Sequence, residues 1–403
     1  MILGGATLAD GRVVDIRVDA DTVLAISGSL AAEPGEERID LAGRLLLPAP
    51  AEPHAHLDKA LTADLAPNPA GDLLGAIDAW YAFLPTLDVD GITRRADAAA
   101  RRLLANGCTA IRTHVNVGQS FGLKAVEALV AVRAAIGHLV DIQIVALPER
   151  PVAGADGAGN RAALRAALAA GADIVGGCPH LDPDPVACLD VCLDLAGELA
   201  VPLDLHMDET LNPEMLVLAV LAERVLSSGF EPAVTASHCC SLGVQEPDTQ
   251  RRVAEAVAAA GVAVVALPQT NLFLQGRQAP VATPRGLTAL RPLLDAGAVL
   301  AAGADNLQDP FNTMGRGDPL ETATLMVMAG HLLPDEAFGT VSSAARRVMR
   351  MASAASSVVA PGDPAELVAI TSTSLRAAIA DAPAGRIVVH RGAVIDPAEV
   401  IAR

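Results

Sequence analysis

Leu203-Asp-Leu-His206-Met-Asp-Glu209 is a short apolar run that breaks off into titratable side chains. Four other places in the chain have the same shape. His54-Ala-His56 follows Leu45–Pro50, Glu149 follows Ile142–Leu147, His238 follows Val234–Ser237, and Asp305 follows Val299–Ala302. Thr109–Val115, Ile174–Gly177 and Val262–Ala266 bring the strand candidates to eight. Ala-rich helical stretches separate them: 94–105, 122–135, 161–170, 184–199, 212–228 and 249–260. Continuous apolar strands alternating with helices predict a parallel sheet covered by helices. Eight such units have the size of a TIM-type (β/α)8 barrel, whose chemistry sits at the carboxyl ends of its strands. The polar clusters fall at that end, which a purely structural role would not predict.

The two termini read differently. Val13-Val-Asp-Ile-Arg-Val18 alternates, with Gly11, Gly28 and Gly35 as punctuation, and Ala365–Ile370, Arg386–His390 and Val394-Ile395 are short strand candidates near the other end. Strands at both ends predict a small β-sandwich assembled from the termini. The expected organisation is 1–48 with 355–403 as the composite β unit, and 49–354 as the barrel.

Composition sets bounds. The 403 residues are 52% hydrophobic, only 2% aromatic, and carry a formal net charge of -18. Such a surface repels phosphate backbones and anionic membranes, so neither nucleic acid nor membrane is an expected partner. No apolar run has the length of a membrane span. Cys108, Cys178, Cys188, Cys192, Cys239 and Cys240 form neither a disulfide framework nor a C-x-x-C site. The N-terminus lacks the basic start and apolar core of a signal peptide. A reducing cytoplasm is the expected location, and a homo-oligomer is compatible with all of this.

Three imidazoles and one carboxylate suit one divalent transition metal with a position left open for water. His54 and His56 are two apart, so in extended chain both face one way. His206 is the third candidate ligand. Asp305 can bind the metal and take a proton from water, whereas His238 can be a ligand or stand beside the metal. Spacing alone does not choose between Asp208 and Glu209 as the group facing substrate. Of nine histidines, His114 and His180 also end strands and can line a pocket or serve as core imidazoles. His138, His331 and His390 lie away from the strand ends. No lysine ends the fourth strand, so a second metal is not expected. Trp80-Tyr81 can stack on a flat ring or anchor a helix.

The chain resembles the amidohydrolase superfamily, and within it the cytosine deaminase branch. The matching residues are Glu52-Pro-His-Ala-His-Leu-Asp-Lys59, Arg112-Thr-His-Val115, Gln143–Pro148, Pro179-His180, Leu205–Glu209, Thr235–His238, Leu274-Gln-Gly-Arg277 and Gly303-Ala-Asp305. The resemblance implies His54, His56, His206 and Asp305 as ligands of one Zn2+ or Fe2+. It implies Glu209 as the proton shuttle, His238 as the group orienting hydroxide, and Asp305 as the base. The implied reaction is hydrolytic deamination of a small amino-substituted N-heterocycle, a pyrimidine, triazine or related ring. Two departures stand out. Glu149 replaces a glutamine at the third strand's end, and Asn306 replaces a second aspartate after the metal aspartate. Glutamine both donates and accepts, while an ionised glutamate only accepts. The site is then expected to favour a ring edge with N–H donors over cytosine, with Glu149, Asn306, His114, His180 and Trp80 as candidate substrate contacts. The alternatives are a ring-opening cyclic-amide hydrolase on the same metal, and a metal-dependent binding protein without activity.

Overall fold

The structure, a computed structural model, describes residues 1–396 and 400. Its centre is eight parallel strands that pair in chain order: Glu52–Ala55, Ala110–Val117, Asp141–Pro148, Ile174–Gly177, Leu203–Met207, Val234–His238, Ala263–Ala266 and Leu300–Ala302. Helices connect them, as expected for a (β/α)8 barrel. The ladder closes where the first and eighth strands meet. Ala55 bridges Asp305, the Asp305 amide donates to the His54 carbonyl at 3.0 Å, and the His56 amide donates to the Asp305 carbonyl at 3.2 Å.

Glu52 reinforces that seam from inside. Its carboxyl accepts from the His54 amide at 3.1 Å and from the Ala304 amide at 2.9 Å, one on each strand. Gly303 leaves the room for it, since a Cβ there would lie 2.3 Å from Glu52 Oε1. Burial pushes the Glu52 carboxyl up to about 8.

The helices start where the sequence marks them. Asp72, Asp88, Asp184 and Asp318 accept backbone N–H groups at N-termini. Pro185, Pro247, Pro268, Pro319 and Pro334 occupy first helical positions, where no N–H is needed. Part of the chain's acidity is therefore helix capping. One expected helix is shorter than its pattern: it spans Val217–Ser228 rather than starting at 212. The Asp208 carboxylate accepts the Val217 and Leu218 amides, at 3.1 and 2.9 Å, and fixes the start there.

The first barrel strand is also a correction. Leu45–Pro48 belongs to the terminal sheet, paired antiparallel with Leu367–Ile370, and the barrel begins at Glu52. Pro48 and Pro50 lack the N–H needed to continue a ladder, so the chain changes sheets there. The remaining strands of this second sheet are Ile2–Thr7, Val13–Asp19, Thr22–Ser27, Arg38–Asp40, Ile387–His390 and Ala393–Val394. It is one hydrogen-bonded sheet with its own core, including Leu3, Leu8, Ile16, Leu46, Leu367 and Val389. The helix Leu375–Asp381 packs instead into the barrel's core. Residues 397–399 and 401–403 of the expected terminal unit lie outside the described residues. No helix among the described residues is long and apolar enough to cross a membrane.

Removing the Glu52 carboxyl leaves two buried backbone N–H groups without acceptors. Glu52→Ala is expected to cost about 2–4 kcal/mol of stability, read as a lower urea midpoint. Glu52→Gln, which keeps one acceptor oxygen, is expected to lose less.

Candidate active site

Local backbone aims the site. His238, Asp305 and Asp208 follow or end barrel strands with φ of 67°, 64° and 49°. These left-handed conformations are uncommon outside glycine and turn the chain sharply at the strand end. The turn at Asp208 sends its own carboxylate to the helix start and leaves Glu209 in the cavity wall. The adjacent pair is thereby resolved: Asp208 caps a helix and Glu209 faces the open space.

Four groups converge at the barrel's mouth. His206 Nε2 lies 3.2 Å from His54 Nε2 and 3.1 Å from His56 Nε2. Asp305 Oδ1 lies 3.3 Å from His56 Nε2 and 3.6 Å from His54 Nε2. Burial holds all three imidazoles well below their ordinary pKa, so they are neutral. One ring's proton is assigned by its surroundings. Ser237 Oγ donates to Asp204 Oδ1 at 3.3 Å and can then accept from His54 Nδ1 at 2.9 Å. The His54 Nε2 lone pair is left facing the cluster. Both Asp305 oxygens are buried without a hydrogen-bond partner. Neutral ring nitrogens crowded beside an unpartnered carboxylate are a donor set that a divalent transition metal satisfies. The chemistry of the residues therefore fits such an ion.

Beside this cluster stand His238 and Glu209. His238 Nε2 is 4.0 Å from Asp305 Oδ2, and His238 Nδ1 is 3.5 Å from Glu209 Oε1. Asn271, fully buried, ties the two together: its Nδ2 donates to His238 Nδ1 at 3.1 Å and to Glu209 Oε1 at 3.4 Å. Gln275 Nε2 donates to the Glu209 carbonyl at 3.1 Å. Burial pushes the Glu209 carboxyl up to about 8 and the His238 imidazole down to about 3. Near neutral pH the first keeps a proton and the second gives its own up, as proton-transfer groups require.

Above the cluster is a cavity that opens to solvent. The chain has one Trp, one Tyr and six Phe, and four of these eight, Trp80, Tyr81, Phe121 and Phe311, line it. Trp80 therefore does more than anchor its helix. Glu149 also lines the cavity, with Oε1 accepting from the Tyr81 hydroxyl at 3.3 Å and Oε2 from the Ser120 amide at 2.8 Å. Asn306 lines it too, but both ends of its amide are engaged. Its Oδ1 accepts from Thr270 at 3.2 Å and its Nδ2 donates to Asp309 at 2.8 Å. His114 lies beneath the cavity, stacked on His54 with centroids 3.9 Å apart. His180 faces an outer groove, with Nδ1 3.2 Å from the His206 carbonyl.

Sequence reasoning missed three groups. Lys59 and Asn116 follow histidines by three and two positions at strand ends, a signal the strand-end rule could have used. Asn271 lies on the helix Pro268–Leu274, where nothing in the sequence marks it.

Comparison with known proteins gives this architecture a class. The model of the Amidohydrolase family matches residues 73–396. A pterin deaminase from Rhizobium rhizogenes is 31% identical over 96% of this chain and 87% of its own length. N-isopropylammelide isopropyl amidohydrolase from Pseudomonas sp. is 25% identical over 100% of this chain and 98% of its own. The crystal structure of 5-methylcytosine deaminase from Klebsiella pneumoniae, liganded with 5-fluorocytosine, superposes with a TM-score of 0.88. It is 28% identical, covering 98% of this chain and 97% of that one. The chain belongs to the amidohydrolase family. It is a hydrolase of carbon–nitrogen bonds.

The two adjacent acids should respond oppositely in a melt. Asp208→Ala removes a buried helix cap and is expected to destabilise by about 1–2 kcal/mol. Glu209→Gln removes a buried carboxyl held only by a long contact to Asn271, and is expected to leave the midpoint unchanged or raise it.

Proposed function

We propose that the chain hydrolytically deaminates a small amino-substituted N-heterocycle. The observation that carries this reading is the convergence of His54, His56, His206 and Asp305 beside a protonated Glu209, under an aromatic-walled cavity. Zn2+ or Fe2+ held by those four residues would lower the pKa of water and supply hydroxide near neutrality. The relatives that act on pterin, isopropylammelide and 5-methylcytosine support a flat nitrogen ring as substrate.

The chain's own groups divide the work. Asp305, whose oxygens have no other partner, takes the proton of the attacking water. Glu209 gives its proton to the ring nitrogen beside the amine-bearing carbon, then moves a proton to the departing amine. His238 has Nδ1 occupied by the Asn271 amide, so its Nε2 carries the N–H that faces the reacting oxygen. Trp80, Tyr81, Phe121 and Phe311 cover the ring and exclude water. Glu149 accepts from a ring N–H, which favours rings with a donor edge. We place the enzyme in the cytoplasm on the strength of its free cysteines, all six of which are without a disulfide.

The test is ammonia or amine release by metal-loaded protein on cytosine, isocytosine, creatinine, aminotriazines and pterins. One of these rings should turn over. Glu209→Gln should lower kcat by about 10²–10⁴-fold with metal content unchanged, and His206→Ala should lose the metal. Ring opening without amine release would overturn deamination in favour of cyclic-amide hydrolysis, and an active Glu209→Gln would remove Glu209 from its role.

A further inference from the structure

Asn116 lies at the end of the second barrel strand, on the cavity wall. Its Oδ1 accepts from Lys59 Nζ at 2.7 Å and from Trp80 Nε1 at 3.1 Å. An ammonium and an indole N–H can only donate. The amide atom facing them must therefore be the oxygen, and the alternative flip would set two donors against the NH2 group. Asn116 Nδ2 has no hydrogen-bond partner among the described residues. The amide is thus a donor fixed in orientation before any ligand arrives.

The groups around it narrow what it can meet. Lys59 shares this wall, its ammonium held by Asn116 Oδ1 at 2.7 Å and Asp58 Oδ1 at 3.2 Å. The next strand end carries Glu149, whose amide donates to the Val117 carbonyl at 2.7 Å. A Cβ on Gly118 would sit 2.3 Å from Glu149 Cβ, so the two strand ends run in close contact. Each Glu149 oxygen has one donor already and keeps acceptor capacity. A fixed donor and a fixed acceptor thus stand on neighbouring strand ends of one cavity wall.

We propose that Asn116 is a specificity-determining residue, donating from Nδ2 to the carbonyl of a lactam edge, –NH–C(=O)–, whose N–H is taken by Glu149. This rests on the ring-hydrolase reading above and deepens it: the substrate is an oxo-amino heterocycle bound through that edge. Asn116→Asp isolates the effect. The aspartate oxygen facing Lys59 and Trp80 still accepts from both, so the scaffold contacts remain while the open donor becomes an acceptor.

Trp80 is the chain's single tryptophan and lines the cavity, so its fluorescence reports this site alone. Metal-loaded Glu209→Gln protein, with Asn116, Asp or Ala at position 116, would be titrated with ring pairs that carry or lack the lactam edge, N–H and carbonyl together. Isocytosine against 2-aminopyrimidine is one pair, and pterin against 2-aminopteridine another. With Asn116 the oxo ring should bind at least about tenfold more tightly. In Asn116→Asp and Asn116→Ala the ratio should fall at least about threefold, with metal content unchanged in both and the melt unchanged in Asn116→Asp. A ratio that survives both substitutions would overturn the proposal and move the carbonyl contact to Lys59 or Arg150, which also line this cavity. If no ring perturbs Trp80 in either the wild-type or the Glu209→Gln protein, the ring-hydrolase reading itself falls.

Discussion

The seam between the first and eighth strands is the constraint on which the rest of this molecule depends. A parallel barrel exists only if its last strand finds its first. Here that contact is made by Ala55 and Asp305, with His54 and His56 supplying the adjoining backbone groups. The residues that close the fold thus include three of the four members of the His–Asp cluster. Glu52, locked behind them, holds both strands at once. Any displacement of the seam would separate Asp305 from His56, so stability of the barrel and geometry of the cluster cannot be varied independently.

Burial then decides what the cluster can do. Neutral imidazoles and unpartnered carboxyls are costly inside a protein unless something satisfies them. Two buried ion pairs elsewhere obey that rule. Arg112 answers Asp204 at 2.7 Å, and Arg386 answers Asp318 through two contacts of 2.7 and 2.8 Å. Unpartnered buried atoms of His206, His238, Asn271 and Asp305 gather at the open end of the barrel. Such a gathering is what a site held for chemistry rather than for stability looks like.

Much of this was legible in the sequence for a physical reason. Barrel strands are buried on both faces, so they read as apolar runs, and any titratable group at their ends stands out. His206, His238, Glu149 and Asp305 were all visible this way. The prolines near position 50 were also visible, yet the run Leu45–Pro50 was assigned to the wrong sheet, because an apolar run does not say which neighbours it pairs with. Asp208 and Glu209 could not be separated by spacing, since the answer lies in a positive φ and a helix start nine residues later. Asn271 gave no sign at all. Its role depends on where a short helix happens to cross two strand ends.

The barrel also separates reaction from recognition. The His–Asp cluster and its proton-bearing neighbours come from the first, fifth, sixth and eighth strands. The groups facing the far wall, Asn116 and Glu149, come from the second and third, with Trp80 and Tyr81 from the helix after the first. A substitution on the far wall changes the hydrogen-bond pattern offered to a ring while leaving the closing seam untouched. The reverse does not hold, because Asp305 belongs to the seam. Substrate preference in this architecture is therefore the property free to drift, and Glu149 stands where drift costs the fold least.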